Sequence, residues 1–196
     1  MQIVLRIAAA LEYRARASWF FALNRFRFKR LEFGSMVRKP LRMDGRRFIS
    51  LGRHVIVQNQ SWLFAAQIDE HEPNLFIDDG CVIGNFNHIA SVRSVVFGKY
   101  VLTADRVYVS DNVHEFEDVN TPIMNQPVRF KSAASIGDGS WIGENVSIIG
   151  ARIGKHCVIG ANSVVTRDIP DFSVAVGAPA TVIKRFNPTS NRWERV

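Results

Sequence analysis

The side chain best placed to do chemistry in this sequence is the imidazole of His114. It lies in the string Ser110-Asp-Asn-Val-His-Glu-Phe-Glu-Asp118 and directly precedes a long insertion, residues 115–135. Because the pKa of histidine lies near neutrality, this side chain can remove a proton from an attacking hydroxyl group. The sequence leaves open which nearby carboxylate would orient the ring: Asp111, Glu115, Glu117 or Asp118. We therefore treat His114 as a candidate general base.

The other four histidines carry a weaker signal. His88 fits strand packing and a role in a site equally well. His54 lies in an irregular early region, His71 in a polar turn and His156 in a turn beside a lysine. We expect these three to be exposed side chains without a chemical role.

A repeat of six residues organises the part of the chain that must position His114. Its marked positions are Ile77, Ile83, Ile89, Phe97, Thr103, Val109, Ile136, Ile142, Ile148, Ile153, Ile159 and Val165, ten of them Ile or Val. A period of six matches neither a helix nor a simple two-faced strand, and it is typical of short strands joined by tight turns in a stacked solenoid. Since one coil cannot bury its own apolar edge, such coils gain stability only by stacking.

The fifth place of each repeat is mostly small or β-branched, and we predict that it also points inward. Both cysteines, Cys81 and Cys157, occupy this place. We therefore expect buried core thiols and neither a disulfide nor a catalytic cysteine.

The repeat and its interruptions divide the chain into segments. We predict a basic and aromatic, partly helical segment at 1–40, a β-helix at 41–186 and a short tail at 187–196. The insertion at 115–135 breaks the repeat and is predicted to protrude as a loop. It is too apolar for free disorder, so we expect it to dock on another surface, such as a neighbouring chain.

Composition indicates an ordinary soluble protein with an uneven charge. The chain has 196 residues, 47% of them hydrophobic, and a net charge of +7. The first 33 residues hold seven basic and two acidic side chains among several aromatics. This segment either caps the open end of the solenoid or rests on an anionic membrane surface. No nucleic-acid motif accompanies the charge, and because Met1–Leu11 does not read as a secretory signal, we expect a cytoplasmic protein, peripheral at the inner membrane if that contact forms.

Three strings in the second half carry a family resemblance. They are Ile136-Gly-Asp-Gly-Ser-Trp-Ile-Gly-Glu-Asn-Val146, Ile153-Gly-Lys-His-Cys-Val-Ile-Gly-Ala-Asn-Ser-Val-Val-Thr-Arg-Asp-Ile-Pro170 and Val176-Gly-Ala-Pro-Ala-Thr-Val-Ile-Lys184. The chain resembles the hexapeptide-repeat acetyltransferases. The likeness is greatest to the maltose and nodulation-factor acetyltransferase branch and to bacterial O-antigen and capsule O-acetyltransferases.

The resemblance implies an all-β fold, a left-handed parallel β-helix, assembled as a homotrimer with active sites between chains. It implies that His114 is the catalytic histidine and that Asn85 holds the acceptor. It also implies that acetyl-CoA is the co-substrate and contacts Glu144, Ala161, Thr166, Arg167, Thr181 and Lys184, with no metal. Two positions depart from the family pattern: Thr181 replaces a common Arg or Lys, and Glu144 replaces a common Gly.

The resemblance therefore predicts an acetyl-CoA-dependent O-acetyltransferase that acts on a sugar hydroxyl of a bacterial surface polysaccharide or its precursor. One alternative is an N-acetyltransferase that acts on a nucleotide aminosugar or a xenobiotic amine. A second alternative is a non-enzymatic β-helix that serves in binding or scaffolding.

Overall fold

The chain folds into a rod of stacked β coils preceded by one helix. The computed structural model describes residues 2–196, with side chains from residue 11 onward. Helix α1 (Gln2–Asn24) comes first, and two 3-10 turns follow at Arg46–Phe48 and Ile123–Asn125. No helix among the described residues combines the length and the apolar character that crossing a membrane requires.

Three sheets form the three long faces of the rod, and their coil strands pair in parallel. Face A contains β1 (Arg30–Leu31), β4 (Ile49–Leu51), β7 (Asn74–Ile77), β10 (Ser94–Phe97), β15 (Ala134–Ile136) and β18 (Arg152–Ile153). Face B contains β2 (Met36–Val37), β5 (Ile56–Val57), β8 (Val82–Ile83), β11 (Leu102–Thr103), β16 (Trp141–Ile142), β19 (Val158–Ile159) and β21 (Ser173–Val176). Face C contains β3 (Arg42–Asp44), β6 (Trp62–Ala65), β9 (His88–Ser91), β12 (Tyr108–Ser110), β17 (Ser147–Ile149) and β20 (Val164–Val165).

The remaining strands lie outside the coils. Strands β13 (Asn112–His114) and β14 (Val128–Phe130) form an antiparallel hairpin. Strands β22 (Thr181–Asn187) and β23 (Arg192–Arg195) add to face B as an antiparallel ribbon, so the predicted tail is ordered against the end of the rod.

The six-residue repeat places its marked side chains inside the rod. Ile77 pairs with Phe97, Phe97 with Ile136, and Ile136 with Ile153, so each inward residue stacks on the next. All twelve marked positions are at most 3% exposed. Both cysteines are free and buried, as predicted, and burial raises the pKa of Cys81 to about 12, which leaves its thiol unreactive.

The tight turns between faces use left-handed backbone at residues other than glycine. Phe86, Tyr100, Arg106 and His156 have φ values between 52° and 57°. Residues other than glycine rarely adopt this backbone conformation, and it costs on the order of 1 kcal/mol at each position. Stacking of the coils on both sides maintains these turns. Left-handed backbone at such large residues was not expected from the sequence.

Strand pairing begins earlier than the predicted boundary at residue 41. Arg30 pairs with Ser50 on face A, and Phe28, Leu31 and Val37 belong to the core. The six-residue pattern is lost here because the early coils have turns of unequal length, while their inward side chains still stack. Helix α1 lies against this first coil: Ala17 is buried, and the Tyr13 hydroxyl donates a hydrogen bond to the Gly34 carbonyl (2.5 Å).

The predicted loop is a hairpin with a fixed base. Asp111 is fully buried, and its carboxylate accepts hydrogen bonds from the backbone amides of Val92 (2.9 Å), Arg93 (2.8 Å) and Ser94 (2.6 Å). The Lys131 amide donates to the Asp111 carbonyl (2.8 Å) and closes the base. The hairpin therefore leaves the rod at a defined angle. The predicted loop boundary was wrong at its end, because residues 134–135 already belong to strand β15 of face A.

We expect Asp111→Ala to loosen the hairpin base while leaving the coils folded. The substitution leaves three amides without their acceptor, and the buried one, that of Val92, alone costs about 1–3 kcal/mol when unpaired. Hydrogen exchange measured by mass spectrometry should accelerate in peptides covering residues 112–130. Asp118→Ala, at the hairpin tip, is the control and should leave exchange at the base unchanged. Equal exchange rates in the wild type and Asp111→Ala would show that this carboxylate does not hold the hairpin.

Candidate active site beside the hairpin

His114 stands on the rim of a groove between the hairpin and face C. It is the last residue of β13 and lies opposite Val128 in the hairpin ladder. The groove has a volume of about 240 Å³. Its walls are Trp62, Phe64, Ile68, His88, Ala90, Val92, Tyr108, Asn112, Val113, His114 and Val128. The walls are mostly apolar, and the His114 ring is exposed to solvent at their edge.

Three of the four carboxylates near His114 in sequence are engaged elsewhere, and the fourth, Glu117, makes no hydrogen bond to the ring in the described part of the chain. Asp111 holds the hairpin base, and Glu115 lies 4.0 Å from the guanidinium of Arg129. The Asp118 carboxylate accepts hydrogen bonds from Thr121 and Asn120 at the tip, which lower its pKa. Within the described part of the chain, neither nitrogen of the His114 ring has a hydrogen-bond partner. A single chain therefore supplies the imidazole without a group that orients it.

An aromatic ladder forms the floor of the groove. The rings of Trp62 and His88 are stacked, with centroids 4.2 Å apart and planes 1° apart, and Tyr108 follows at 5.3 Å from His88. The Trp62 indole donates a hydrogen bond to Asp44 (2.8 Å). Burial lowers the pKa of His88, which favours its neutral form. His88 thus packs against neighbouring strands and also lines the groove. The sequence could not decide between these two roles, and the structure combines them.

Sequence reasoning missed the partners of His88. Trp62 and Tyr108 lie in register with it on adjacent strands, and all three point outward from face C. Once the coils are aligned, this register is visible in the sequence. The irregular coil between β6 and β9 concealed it.

Asn85 lies on the other side of face C from His114. It belongs to a row of turn residues between faces B and C, one from each coil after the first, which we call the B–C edge: Asn59, Asn85, Asp105, Glu144 and Ala161. The Asn59 amide donates to the side-chain oxygen of Asn85 (3.1 Å), whose own side-chain nitrogen donates to Asp105 (3.1 Å). Asn85 does not line the groove of its own chain. The structure therefore does not bring the two predicted catalytic residues together within one chain.

The predicted coenzyme A residues fall into three places. Glu144 and Ala161 are neighbours on the B–C edge, where the Asn162 amide donates to the Glu144 carbonyl (2.8 Å) and Arg106 pairs with the Glu144 carboxylate (2.6 Å). Thr166 and Arg167 follow β20, on the side of face C from which the hairpin leaves, and both are exposed. Thr181 and Lys184 are exposed positions of β22.

Among the described residues, one group of three side chains could hold a metal ion. Asp69, Glu70 and His71 lie together at the surface, and Asp69 already pairs with Arg93. The group is remote in sequence from His114 and does not line the groove.

Comparison with known proteins identifies the repeat. Residues 133–167 match the family described as the hexapeptide repeat of succinyl-transferase. A probable acetyltransferase of Mycobacterium tuberculosis is 39% identical over 137 residues, which cover 69% of this chain and 44% of that protein. A putative lipopolysaccharide biosynthesis O-acetyl transferase of Escherichia coli is 36% identical over 128 residues, which cover 62% of this chain and 65% of that protein. The chain thus spans less than two thirds of either relative.

Solved structures show the same fold. An N-acyltransferase from Bacillus cereus, in complex with dTDP and 3-hydroxybutyryl-CoA, superposes with a TM-score of 0.72 at 17% identity, covering 86% of this chain and 89% of that one. The likeness confirms the predicted fold class, a left-handed parallel β-helix. Residues 133–167 therefore carry a hexapeptide repeat, and the two sequence relatives named above are described as acetyltransferases.

Proposed function

We propose that this protein is an acetyl-CoA-dependent O-acetyltransferase that modifies a sugar hydroxyl of a bacterial surface polysaccharide or of its precursor. The observation that carries the proposal is the exposed imidazole of His114, held at the mouth of a groove by an anchored hairpin. The named activities of the sequence relatives support it, one of them an O-acetyl transferase of lipopolysaccharide biosynthesis.

The proposed reaction is a direct transfer. A ring nitrogen of His114 accepts the proton of the acceptor hydroxyl as the hydroxyl oxygen attacks the thioester carbonyl. The tetrahedral intermediate collapses, the carbon–sulfur bond breaks, and the thiolate of coenzyme A takes the proton from His114. Direct transfer is favoured over an acetyl-cysteine intermediate, because both cysteines are buried inside the rod and burial raises the pKa of each thiol.

The co-substrate is proposed to lie along the later coils. Arg167 and Lys184 are exposed cations that can pair with its phosphates. At Ala161 the short side chain leaves the turn open for the pantetheine arm. The carboxylate of Glu144 would repel phosphate and is already paired with Arg106. We therefore expect coenzyme A to contact Glu144 through its backbone.

The split arrangement of these residues favours a site shared between chains. His114 and Arg167 lie on the hairpin side of face C, whereas Asn85, Glu144 and Ala161 lie on the B–C edge. An assembly that sets the hairpin side of one chain against the B–C edge of the next would complete the site. Two apolar surfaces support a homotrimer: Leu102 and Trp141, paired on the outside of face B, and the exposed hairpin side chains Phe116, Val119, Ile123 and Met124.

An N-acetyltransferase that acts on an aminosugar is the second candidate. One solved structure of similar fold is a GDP-perosamine complex of a Caulobacter crescentus protein, with a TM-score of 0.52. The chemistry at His114 would be the same, with an amine in place of the hydroxyl. Release of coenzyme A from acetyl-CoA, measured with matched sugars and aminosugars, distinguishes the two.

We also propose that helix α1 rests on an anionic membrane surface. One side of the helix faces the rod with Tyr13, Ala17 and Phe20. The opposite side is an exposed apolar stripe with the spacing of one helix face: Leu11, Ala15, Trp19 and Leu23. Trp19 is 68% exposed and the adjacent Phe26 is 84% exposed. Arg14 and Arg25 flank the stripe, the composition typical of an interfacial helix. The side chains of residues 1–10, the start of this segment, lie outside the described residues.

We expect His114→Ala to lower the turnover number for acetyl transfer by about 10²–10⁴-fold, the typical contribution of a general base. Coenzyme A release under saturating acetyl-CoA is the measurement. His71→Ala, at another exposed histidine, is the control and should keep the wild-type rate. A wild-type rate in His114→Ala would remove this residue from the mechanism.

We expect Val119→Asp together with Met124→Asp to convert a trimer into monomers. Two carboxylates in an apolar contact must be desolvated without partners, which costs several kcal/mol. Sedimentation velocity gives the molar mass. Asn120→Asp adds a charge to the same hairpin without removing an apolar group, and it should remain trimeric. A double variant that stays trimeric would place the contact elsewhere.

We expect Trp19→Ser with Phe26→Ser to reduce co-sedimentation with phosphatidylglycerol-containing vesicles by about tenfold or more, because each buried aromatic side chain contributes about 1.5–3 kcal/mol. Tyr100→Ser removes an aromatic side chain that is 69% exposed and serves as the control. Substitution is cleaner than deletion of the segment, since Phe28 and Leu31 belong to the core. Equal pelleting of both variants would rule out this contact.

A further inference from the structure

A basic pocket lies where helix α1 meets the first two coils. Its volume is about 410 Å³. Its lining residues are Arg16, Phe20, Met36, Val37, Arg38, Lys39 and Asn59. Three cationic side chains therefore line one small space, an arrangement that an anion would stabilise.

Little in the described part of the chain neutralises these cations. Arg16 pairs with Glu12 (2.6 Å), but both side chains are 62% exposed, so water screens the pair. Arg38 donates one hydrogen bond to the side chain of Gln58 (3.2 Å), and its Nε is buried without a partner among the described residues. Lys39 takes part in no ion pair with a described carboxylate. A buried donor without an acceptor is unfavourable, and an anionic ligand would supply the missing acceptor.

The pocket lies next to the proposed acceptor position. Asn59 lines the pocket, and its amide donates to the side chain of Asn85. Since neighbouring strands lie about 4.8 Å apart, the pocket is roughly one coil from Asn85 along the B–C edge. Glu144 and Ala161 lie on the same edge in the opposite direction. An acceptor at Asn85 would therefore have the acyl donor on one side and the basic pocket on the other.

We infer that this pocket binds the diphosphate of a glycosyl diphosphate acceptor, so that the sugar is acetylated while still attached to its carrier. The inference rests on the proposed function, because it assumes that the acceptor sugar lies at Asn85. Guanidinium groups bind phosphate oxygens in pairs, and lysine adds a further charge. A finished neutral polysaccharide would leave all three cations without a partner. The diphosphate belongs either to a nucleoside diphosphate sugar or to a lipid-linked sugar, and both present the same chemistry to the pocket.

The test measures binding of inorganic pyrophosphate and of UDP to the full chain by calorimetry. Coenzyme A is kept at saturating concentration so that its own phosphate site is filled. Arg16→Gln combined with Lys39→Gln should weaken binding of both probes by about tenfold or more, because two charge-assisted contacts to the phosphates are lost. Both residues are exposed, so the double variant should keep the thermal midpoint and the coenzyme A affinity of the wild type.

Arg14→Gln is the matched control. Arg14 lies two residues from Arg16 on the same helix but lines a different pocket, with Ser18, Phe33 and His54. It should bind both probes like the wild type. Equal affinities in the wild type and the double variant, or an equal loss in Arg14→Gln, would overturn the inference.

Vesicles distinguish the two sources of the diphosphate. Phosphatidylcholine vesicles are compared with and without added undecaprenyl diphosphate. Pelleting that needs the diphosphate lipid and is lost in the double variant supports a lipid-linked acceptor. UDP binding that is lost in the double variant, without such pelleting, supports a nucleotide sugar.

The pocket and the proposed reaction can fail independently. Pyrophosphate binding is measured in the His114→Ala background, where no turnover is required. If that binding depends on Arg16 and Lys39 while no acceptor is ever acetylated, the pocket stands and the proposed function falls. If acetyl transfer proceeds and neither probe depends on these residues, only the pocket assignment falls.

Discussion

The inward side chains of each coil are covered by those of the next coil, and this stacking is the constraint on which the rest of the structure depends. Phe97, for example, lies between Ile77 and Ile136 on face A, and all three are essentially inaccessible to solvent. Because a coil has only three short strands, it has no other way to bury its apolar edge. The interior is therefore filled, and any ligand must bind on the outside of the rod.

Functional groups follow from that limit, because they can occupy only outward positions, turns and insertions. The outward row Trp62, His88 and Tyr108 gives face C an aromatic surface. The turn row of the B–C edge carries polar side chains from coil to coil, as Asn59, Asn85 and Asp105 show by their hydrogen bonds. The hairpin adds His114 above face C. Equivalent positions of successive coils therefore present their side chains about 4.8 Å apart along the rod.

The described hydrogen bonds explain why the hairpin interrupts the repeat without breaking the rod. The buried carboxylate of Asp111 accepts amide hydrogens from the turn after β9, which would otherwise be unpaired at the corner. The next coil then begins at Ala134, in register with Val95 of the coil before it. A polar group inside an apolar rod is tolerated here because its oxygens are fully hydrogen-bonded.

The sequence by itself determined the solenoid, its inward positions, the buried state of both cysteines and the place of His114 at the start of the insertion. These are consequences of a local period, which can be read wherever strands and turns keep one length. Only the tertiary structure decided that the first coil begins at Arg30, that His114 and Asn85 lie on opposite sides of face C, and that α1 forms a basic pocket with Arg38 and Lys39. Those features depend on which coil stacks on which across turns of unequal length, and on how a helix packs against the end of the rod. The repeat records only contacts between coils of equal length, so neither the unequal early coils nor the packing of the helix leaves a pattern in the sequence.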